Sequence, residues 1–197
     1  MEHVFAFQFC QAIVAVTFGV FISDFKRKAG MVPLINEKWT YVLKLLLLIP
    51  LFVYSYTLIT LNELTPVDLF SFGLTFIGTA LVVKAKWDLS THHTWAGFCI
   101  DAPKLVAHGI YSYVRHPLYA GVYLFVSGLT LTAISHMSLY LVLPASLALA
   151  YILSFLAVSA SRETKRLEKK LGREFIEYKK QVHFCLPLRK YVTQEHS

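Results

Sequence analysis

Long apolar blocks constrain the fold of this 197-residue chain more than any other feature. Five of these blocks can cross a membrane as α-helices, because a helix needs roughly 20 apolar residues to span the hydrocarbon core. The composition agrees, since 56% of the residues are hydrophobic, 16% are charged and the mean hydropathy is +0.54. The sequence therefore predicts an all-α, polytopic integral membrane protein of about five spans.

Charged residues, prolines and turn formers set the boundaries of the predicted spans. The spans are expected at residues 4–25, 39–61, 67–83 and 117–133, followed by a fifth that ends near residue 158. The first block has no A-x-A cleavage site after it, so we expect a retained span rather than a signal peptide. The short turn at 135–138 predicts a hairpin of spans four and five. Pro50 and Pro144 predict bends, and Gly73 and Gly78 predict close helix contacts.

The chain is expected to form one domain over residues 1–197, with a three-span part at 1–86 and a second part at 87–197. Lys and Arg are concentrated in the first loop, the third loop and the tail. The positive-inside rule therefore predicts that these segments and the C-terminus are cytosolic and that the N-terminus is on the opposite side. The net charge of +7 fits contact with anionic membrane lipids, not with nucleic acid.

The tail after Ser161 has apolar residues at helical spacing, which predicts an amphipathic helix on the membrane surface, with a break at Gly172. The three cysteines, Cys10, Cys99 and Cys185, are far apart and have no metal-ligand spacing. We interpret them as packing or interfacial residues and predict no metal site.

The stretch from residue 104 to residue 121 joins a polar, aromatic and basic cluster directly to an apolar block. Pro117 opens that block, and proline is well tolerated at the first position of a helix. Arg115 and His116 are therefore predicted at the mouth of span four, at the boundary between water and lipid. The free N–H groups of a first helical turn suit an anion, which makes this a place to hold a charged cofactor.

Glu163 lies within about a turn of the predicted end of span five. A carboxylate so close to the bilayer needs a partner or a function, and Arg162 and Arg115 are the candidate partners. A solvated charge beside the membrane is the alternative interpretation.

These residues resemble a known family. Residues 109–111 (GIY) and 115–121 (RHPLYAG) are similar to the G-x-Y-x-x-x-R-H-P-x-Y-x-G signature of the isoprenylcysteine carboxyl methyltransferase family, which is related to membrane phospholipid methyltransferases. The similarity covers roughly the C-terminal half, and its further members are Trp87, Leu89, residues 104–106, Glu163, Leu167, Gly172, Phe175, Tyr178 and residues 186–187.

The resemblance implies S-adenosylmethionine as cofactor, held on the cytosolic side, and a lipophilic substrate that enters from the bilayer. By motif, the implied cofactor-binding residues are Leu105, Val106, Gly109, Tyr111, Arg115, His116, Pro117, Tyr119 and Glu163. Arg115 and Glu163 are the candidate catalytic residues. Arg115 would steer a carboxylate nucleophile, whereas Glu163 would take a proton from a thiol or amine or bind the cofactor. Tyr111, Tyr113 and Tyr119 would supply an aromatic wall.

The chain departs from the family pattern at two positions. Thr164 replaces the second of two paired glutamates, and Pro103 stands where the family often has a histidine. Either change would alter substrate choice or weaken cofactor binding, and His92, His93 and His108 are candidate substitutes for the histidine.

The sequence thus predicts a membrane methyltransferase. A prenylcysteine carboxylate or a similar lipophilic group is the expected acceptor, and a phospholipid amine is the alternative. The alternative hypotheses from other functional classes are a sterol-type membrane reductase and a non-catalytic membrane scaffold.

Overall fold

Five long helices form the body of the protein, and each is long and apolar enough to cross a membrane. The computed structural model describes residues 2–23, 30–90, 97–101 and 103–184. The elements are α1 (Glu2–Ile22), β1 (Met31–Pro33), α2 (Glu37–Thr60), α3 (Pro66–Leu89), β2 (Phe98–Ile100), a 3-10 turn (Gly109–Ser112), α4 (Pro117–His136), α5 (Leu139–Leu171) and α6 (Arg173–Gln181). The prediction of an all-α, polytopic membrane protein is confirmed.

Two helices continue beyond the predicted spans. α3 extends to Leu89 instead of ending near residue 83, and α5 continues to Leu171 instead of ending near residue 158. The helix predicted in the tail is therefore continuous with the fifth predicted span, because charged side chains that reach water do not interrupt the backbone ladder of a helix. The predicted break at Gly172 is confirmed, since this residue has a φ of 58° and separates α5 from α6.

Glycines bring α3 and α4 into backbone contact. A Cβ atom on Gly78 would lie 2.6 Å from the carbonyl oxygen of Gly121, and a Cβ on Gly121 would lie equally close to that of Gly78. Gly128 repeats the arrangement two turns on, against the carbonyl oxygen of Ser71. The predicted close contact at Gly78 is confirmed. At Gly73 the prediction is wrong, because a Cβ there would have no described atom within 4 Å.

The start of α3 is tied to the end of α4 by a buried carboxylate. Asp68 accepts hydrogen bonds from the backbone N–H and the hydroxyl of Thr65, both at 2.7 Å, which caps α3. Both carboxylate oxygens also lie 2.9 Å from Nε2 of His136, in the last turn of α4. The two helices are therefore antiparallel and are linked at this end. The loops of the candidate site lie at the opposite end of the pair, where α3 ends and α4 begins.

The first loop, the third loop and the C-terminal segment meet at that other end. β1 pairs with β2 in antiparallel register, with Val32 opposite Cys99, and a parallel bridge joins Val114 to His183. Strands of three residues show no periodicity in a sequence, so neither was predicted. That this end is cytosolic stays a prediction, as does the division of the chain at residues 86 and 87.

Some predictions lie outside the described residues. These are the charged end of span one at 24–28, the roles suggested for His92 and His93, the state of Cys185, and the similarity at 186–187.

Candidate active site

A pocket opens where α3 and α5 approach the beginning of α4. Its empty space is about 1050 Å³, which includes the solvent at its open mouth. Seven of the nine cofactor residues implied by the sequence line it: Leu105, Val106, Tyr111, Arg115, His116, Tyr119 and Glu163. Gly109 and Pro117 do not line it. Gly109 lies in the 3-10 turn that carries Tyr111, and Pro117 is the first residue of α4. The long loop, the helix mouth and α5 therefore bring these predicted residues to one place.

The mouth of α4 has the predicted geometry. Pro117 is the first helical residue and His116 is the N-cap, so the predicted start of this helix is confirmed. The backbone N–H groups of Arg115 and His116 donate to the carbonyl oxygens of His183 and Phe184, at 2.9 and 3.0 Å. Nε of Arg115 also donates to the carbonyl oxygen of Val182 at 3.1 Å. The segment after α6 thus holds the arginine and histidine in place.

His116 is buried between aromatic rings and the beginning of the charged part of α5. Its side chain is 5% exposed, and its ring lies against Tyr119 and Phe184. Nε2 is 3.1 Å from the hydroxyl of Thr164, and Nδ1 is 3.7 Å from Oε2 of Glu163. Burial, with a smaller effect of the Arg115 charge, lowers the pKa of His116 to about 3. The imidazole is therefore neutral near pH 7.

Glu163 projects into the pocket and contacts the helix mouth. The hydroxyl of Tyr119 donates to its Oε2 at 3.1 Å, and its side chain is 28% exposed. The suggested pairing with Arg162 is wrong, because that guanidinium donates to the carbonyl oxygen of Leu34 at 2.9 Å. A carboxylate with one engaged oxygen can accept further hydrogen bonds through the other, so Glu163 can bind a ligand that carries N–H or O–H groups.

A 3-10 turn carries Tyr111 to the pocket, and Asp88 fixes that turn. Asp88, at the end of α3, accepts the backbone N–H of Ile110 at 2.7 Å and pairs with Lys84 at 2.5 Å. Gly109 has a φ of 58°, and a Cβ there would collide with the Asp88 carboxylate. Asp88 is a positioning residue that the sequence did not reveal, although it lies between Trp87 and Leu89 in the segment of similarity.

Replacing Asp88 by alanine is expected to loosen the turn without unfolding the helices. The N–H of Ile110 loses its acceptor, so its hydrogen exchange should accelerate about tenfold, as the loss of one charge-assisted hydrogen bond implies. Exchange measured by mass spectrometry on peptides that cover residues 109–112 checks this. Asp88→Asn is the matched control, because its amide oxygen still accepts and exchange should change much less. Unchanged exchange in folded Asp88→Ala would contradict the assignment.

Tyr178 of α6 closes the pocket from the side of the tail. Its hydroxyl donates to the carbonyl oxygen of Tyr111 at 2.6 Å, and burial raises its pKa to about 12, so it stays a donor. Phe175 and Leu167 line the same wall. Tyr113, expected in the aromatic wall, is 60% exposed and does not line the pocket. The aromatic wall is therefore made by Tyr111, Tyr119, Phe175 and Tyr178.

Other lining residues were missed by sequence reasoning. Arg166 lies three residues after Glu163 and hence on the same helical face, which is the signal that could have identified it. Its guanidinium pairs with Asp101 at 2.7 Å and so ties the loop after β2 to α5. Cys99, interpreted as a packing residue, is buried and also lines the pocket, and burial raises the pKa of its thiol. Among the described residues, no three His, Cys, Asp or Glu side chains are grouped to hold a metal.

The lining chemistry combines one carboxylate, three basic side chains and an aromatic wall. Lys104, Arg115 and Arg166 are the basic side chains, and Glu163 is the one acidic lining residue. Such a pocket can bind a ligand that has both a carboxylate and amino or hydroxyl groups.

Comparison of the sequence with known proteins identifies a family for the chain. A family model described as phospholipid methyltransferase matches residues 67–174, more than half of the chain. The matched region begins with α3 and includes the R-H-P motif, Glu163 and Gly172. No curated protein matches the chain.

Proposed function

This chain belongs to the phospholipid methyltransferase family, and from that premise we propose that it transfers a methyl group from S-adenosylmethionine to a lipophilic acceptor. The observation that carries the proposal is the pocket itself, where the motif residues at the mouth of α4 meet Glu163 of α5. The pocket adjoins helices that can cross a membrane, which supports a substrate that would enter from the bilayer.

The residues of the pocket fit the proposed cofactor. Small-molecule sites combine mostly apolar walls with a few convergent polar groups, and the lining of this pocket has that composition. Arg115, Arg166 and Lys104 would bind the carboxylate of the cofactor, and Glu163 would accept hydrogen bonds from its amino or ribose groups. Leu105, Val106 and Tyr111 would pack against its apolar surface. Gly109 and Pro117 would act indirectly, through the turn and the helix start.

The chemistry requires positioning more than acid–base catalysis. The cofactor supplies a methyl group on a positively charged sulfonium, and that charge disappears as the methyl is transferred. Tyr111 and Tyr119 would exclude water and provide a wall of low polarity, which favours the loss of charge. Arg115 would orient an anionic nucleophile for in-line attack. If the acceptor is an amine, Glu163 would take its proton.

We favour a prenylcysteine carboxylate or a similar anionic lipophilic group as the acceptor. The support is Arg115, a basic side chain at the mouth of α4 beside the membrane helices, which would attract an anionic acceptor more than a cationic amine. A phospholipid amine is the second candidate, favoured by the description of the family and by Glu163 as a base. A sterol-type reductase gains no support from the family match, and the only support for a scaffold is the threonine at position 164.

We also propose that the pocket and the C-terminus face the cytosol and that the N-terminus faces the opposite side. Support comes from the concentration of Lys and Arg in the first loop, the third loop and the tail. The described parts of these segments, β1, β2 and His183, lie at the pocket end. In this proposal the cofactor-binding elements belong to residues 87–197, and residues 1–86 complete the membrane bundle.

Calorimetric titration of the detergent-solubilised protein tests the cofactor. Saturable binding of S-adenosylhomocysteine is expected, with no binding of NADPH as the control nucleotide. Failure of folded protein to bind S-adenosylhomocysteine would overturn the proposal, and binding of NADPH alone would favour a reductase.

A transfer assay with a labelled methyl donor then decides the acceptor. The protein is reconstituted in vesicles that contain either S-farnesylcysteine or phosphatidylethanolamine. Label in a base-labile methyl ester of the first supports the carboxylate acceptor, whereas label in an N-methylated phospholipid would replace it by the amine acceptor.

A further inference from the structure

The pairing of His116 with Thr164 gives a role to the position that departs from the family pattern. Thr164 is 9% exposed and follows Glu163 on α5. Two consecutive residues of this helix therefore face the two ring nitrogens of one buried histidine: the Thr164 hydroxyl is 3.1 Å from Nε2, and Oε2 of Glu163 is 3.7 Å from Nδ1.

The position of the imidazole hydrogen follows from the Thr164 hydroxyl. Among the described residues, Nε2 of His116 is its sole hydrogen-bond partner. A buried hydroxyl hydrogen needs an acceptor, so the hydroxyl donates and Nε2 accepts. A neutral imidazole has one N–H and one acceptor nitrogen. The hydrogen of His116 is therefore on Nδ1, where it faces the Glu163 carboxylate.

We propose that Thr164 is a positioning residue that sets the tautomer of His116 and, through it, the orientation of Glu163. Oε2 of Glu163 then accepts from the Tyr119 hydroxyl at 3.1 Å, and the N–H dipole at Nδ1 of His116 points toward it from 3.7 Å, an electrostatic contact beyond hydrogen-bond distance. With Oε2 held on this side, Oε1 is left to accept hydrogen bonds from the bound ligand. This last step rests on the proposed function, because it assigns Glu163 to the cofactor.

A glutamate at position 164 would impose different chemistry on the same histidine. A carboxylate beside Nε2 would require a hydrogen on that nitrogen, and it would add a second negative charge to the pocket. The threonine hydroxyl instead donates a hydrogen bond to Nε2 and adds no charge to the pocket. The site therefore keeps a neutral histidine and a single carboxylate.

Nitrogen NMR of protein labelled with ¹⁵N-histidine tests the tautomer without any ligand. In the wild type at neutral pH, we expect Nε2 of His116 to resonate as an acceptor nitrogen and Nδ1 as a protonated one. Thr164→Ser keeps the hydroxyl and should reproduce this spectrum. Thr164→Val removes the donor, so the Nε2 signal should shift, which also assigns it. A hydrogen on Nε2 in the wild type would overturn the proposal.

Affinity for S-adenosylhomocysteine tests the consequence for Glu163. Thr164→Val should bind about tenfold more weakly, and Thr164→Ser should bind within about twofold of the wild type, as expected for one lost or retained hydrogen bond. Wild-type affinity in folded Thr164→Val would overturn the positioning role. If the wild type binds no S-adenosylhomocysteine, the proposed function fails, while the spectra still decide the tautomer.

Discussion

Glu163→Ala is expected to abolish measurable binding of S-adenosylhomocysteine while the helical bundle stays folded. Glu163 is the one acidic residue among those lining the pocket, so no other lining carboxylate can replace it. Each hydrogen bond to a charged group contributes about 1.5–3 kcal/mol, so losing one weakens binding by about 10- to 150-fold and losing two by more than about 100-fold. Titration calorimetry on detergent-solubilised protein measures the loss, and circular dichroism checks the fold.

Two controls separate the carboxylate from other effects. Glu163→Gln keeps the side-chain shape and one acceptor oxygen, so its affinity should lie between those of the wild type and Glu163→Ala. Glu177→Ala removes an exposed carboxylate of α6 whose one ion-pair partner within the described residues is a surface lysine, Lys180, and its affinity should not change. Wild-type affinity in Glu163→Ala would remove Glu163 from the site.

Arg115→Ala should also abolish binding, but its result is harder to interpret. Nε of Arg115 donates to the carbonyl oxygen of Val182, so the substitution also loosens the segment that holds the helix mouth. The carboxylate of Glu163 has polar contacts with two side chains among the described residues, those of Tyr119 and His116, and with no backbone group. Its replacement is therefore the sharper test of the pocket.

The sequence predicted the membrane helices well because their signal is local. An apolar block of membrane length identifies a span without knowledge of its neighbours, and Pro117 identified the start of α4 in the same way. The end of α5 was wrong because its last turns are charged, and charge was taken to end the helix. The pairing of β1 with β2 depends on residues about 67 positions apart, which periodicity does not detect.

Motif and geometry supplied different parts of the candidate site. The motif gave the residues whose chemical types are unusual beside an apolar block, such as Arg115, His116 and Glu163, and the family it indicated is confirmed. Asp88 and Arg166 are ordinary charged residues whose roles depend on what folds against them. Position 164 was predicted only as a missing carboxylate, and the structure gives it a partner, His116.

Gly78→Ala is expected to destabilise the protein even though alanine is the better helix former. The added Cβ would lie 2.6 Å from the carbonyl oxygen of Gly121 and 2.7 Å from the backbone nitrogen of Phe125, so the backbone of α4 must move. Overpacking of this kind costs about 1–3 kcal/mol, more than the roughly 1 kcal/mol gained in helix propensity. Thermal unfolding in detergent, followed by circular dichroism, should show a lower midpoint.

Gly73→Ala is the matched control, because it lies on the same helix and its Cβ would have no described atom within 4 Å. Its midpoint should stay the same or rise, since only the propensity gain remains. Equal midpoints for the two variants would mean that α3 and α4 are not in backbone contact.

The contact matters for the site as well, because Gly121 lies one turn after Pro117 and Gly78 precedes Asp88 on α3. A shift of α4 would therefore move His116 and Tyr119 relative to the turn that carries Tyr111, so Gly78→Ala should weaken binding of S-adenosylhomocysteine and Gly73→Ala should not.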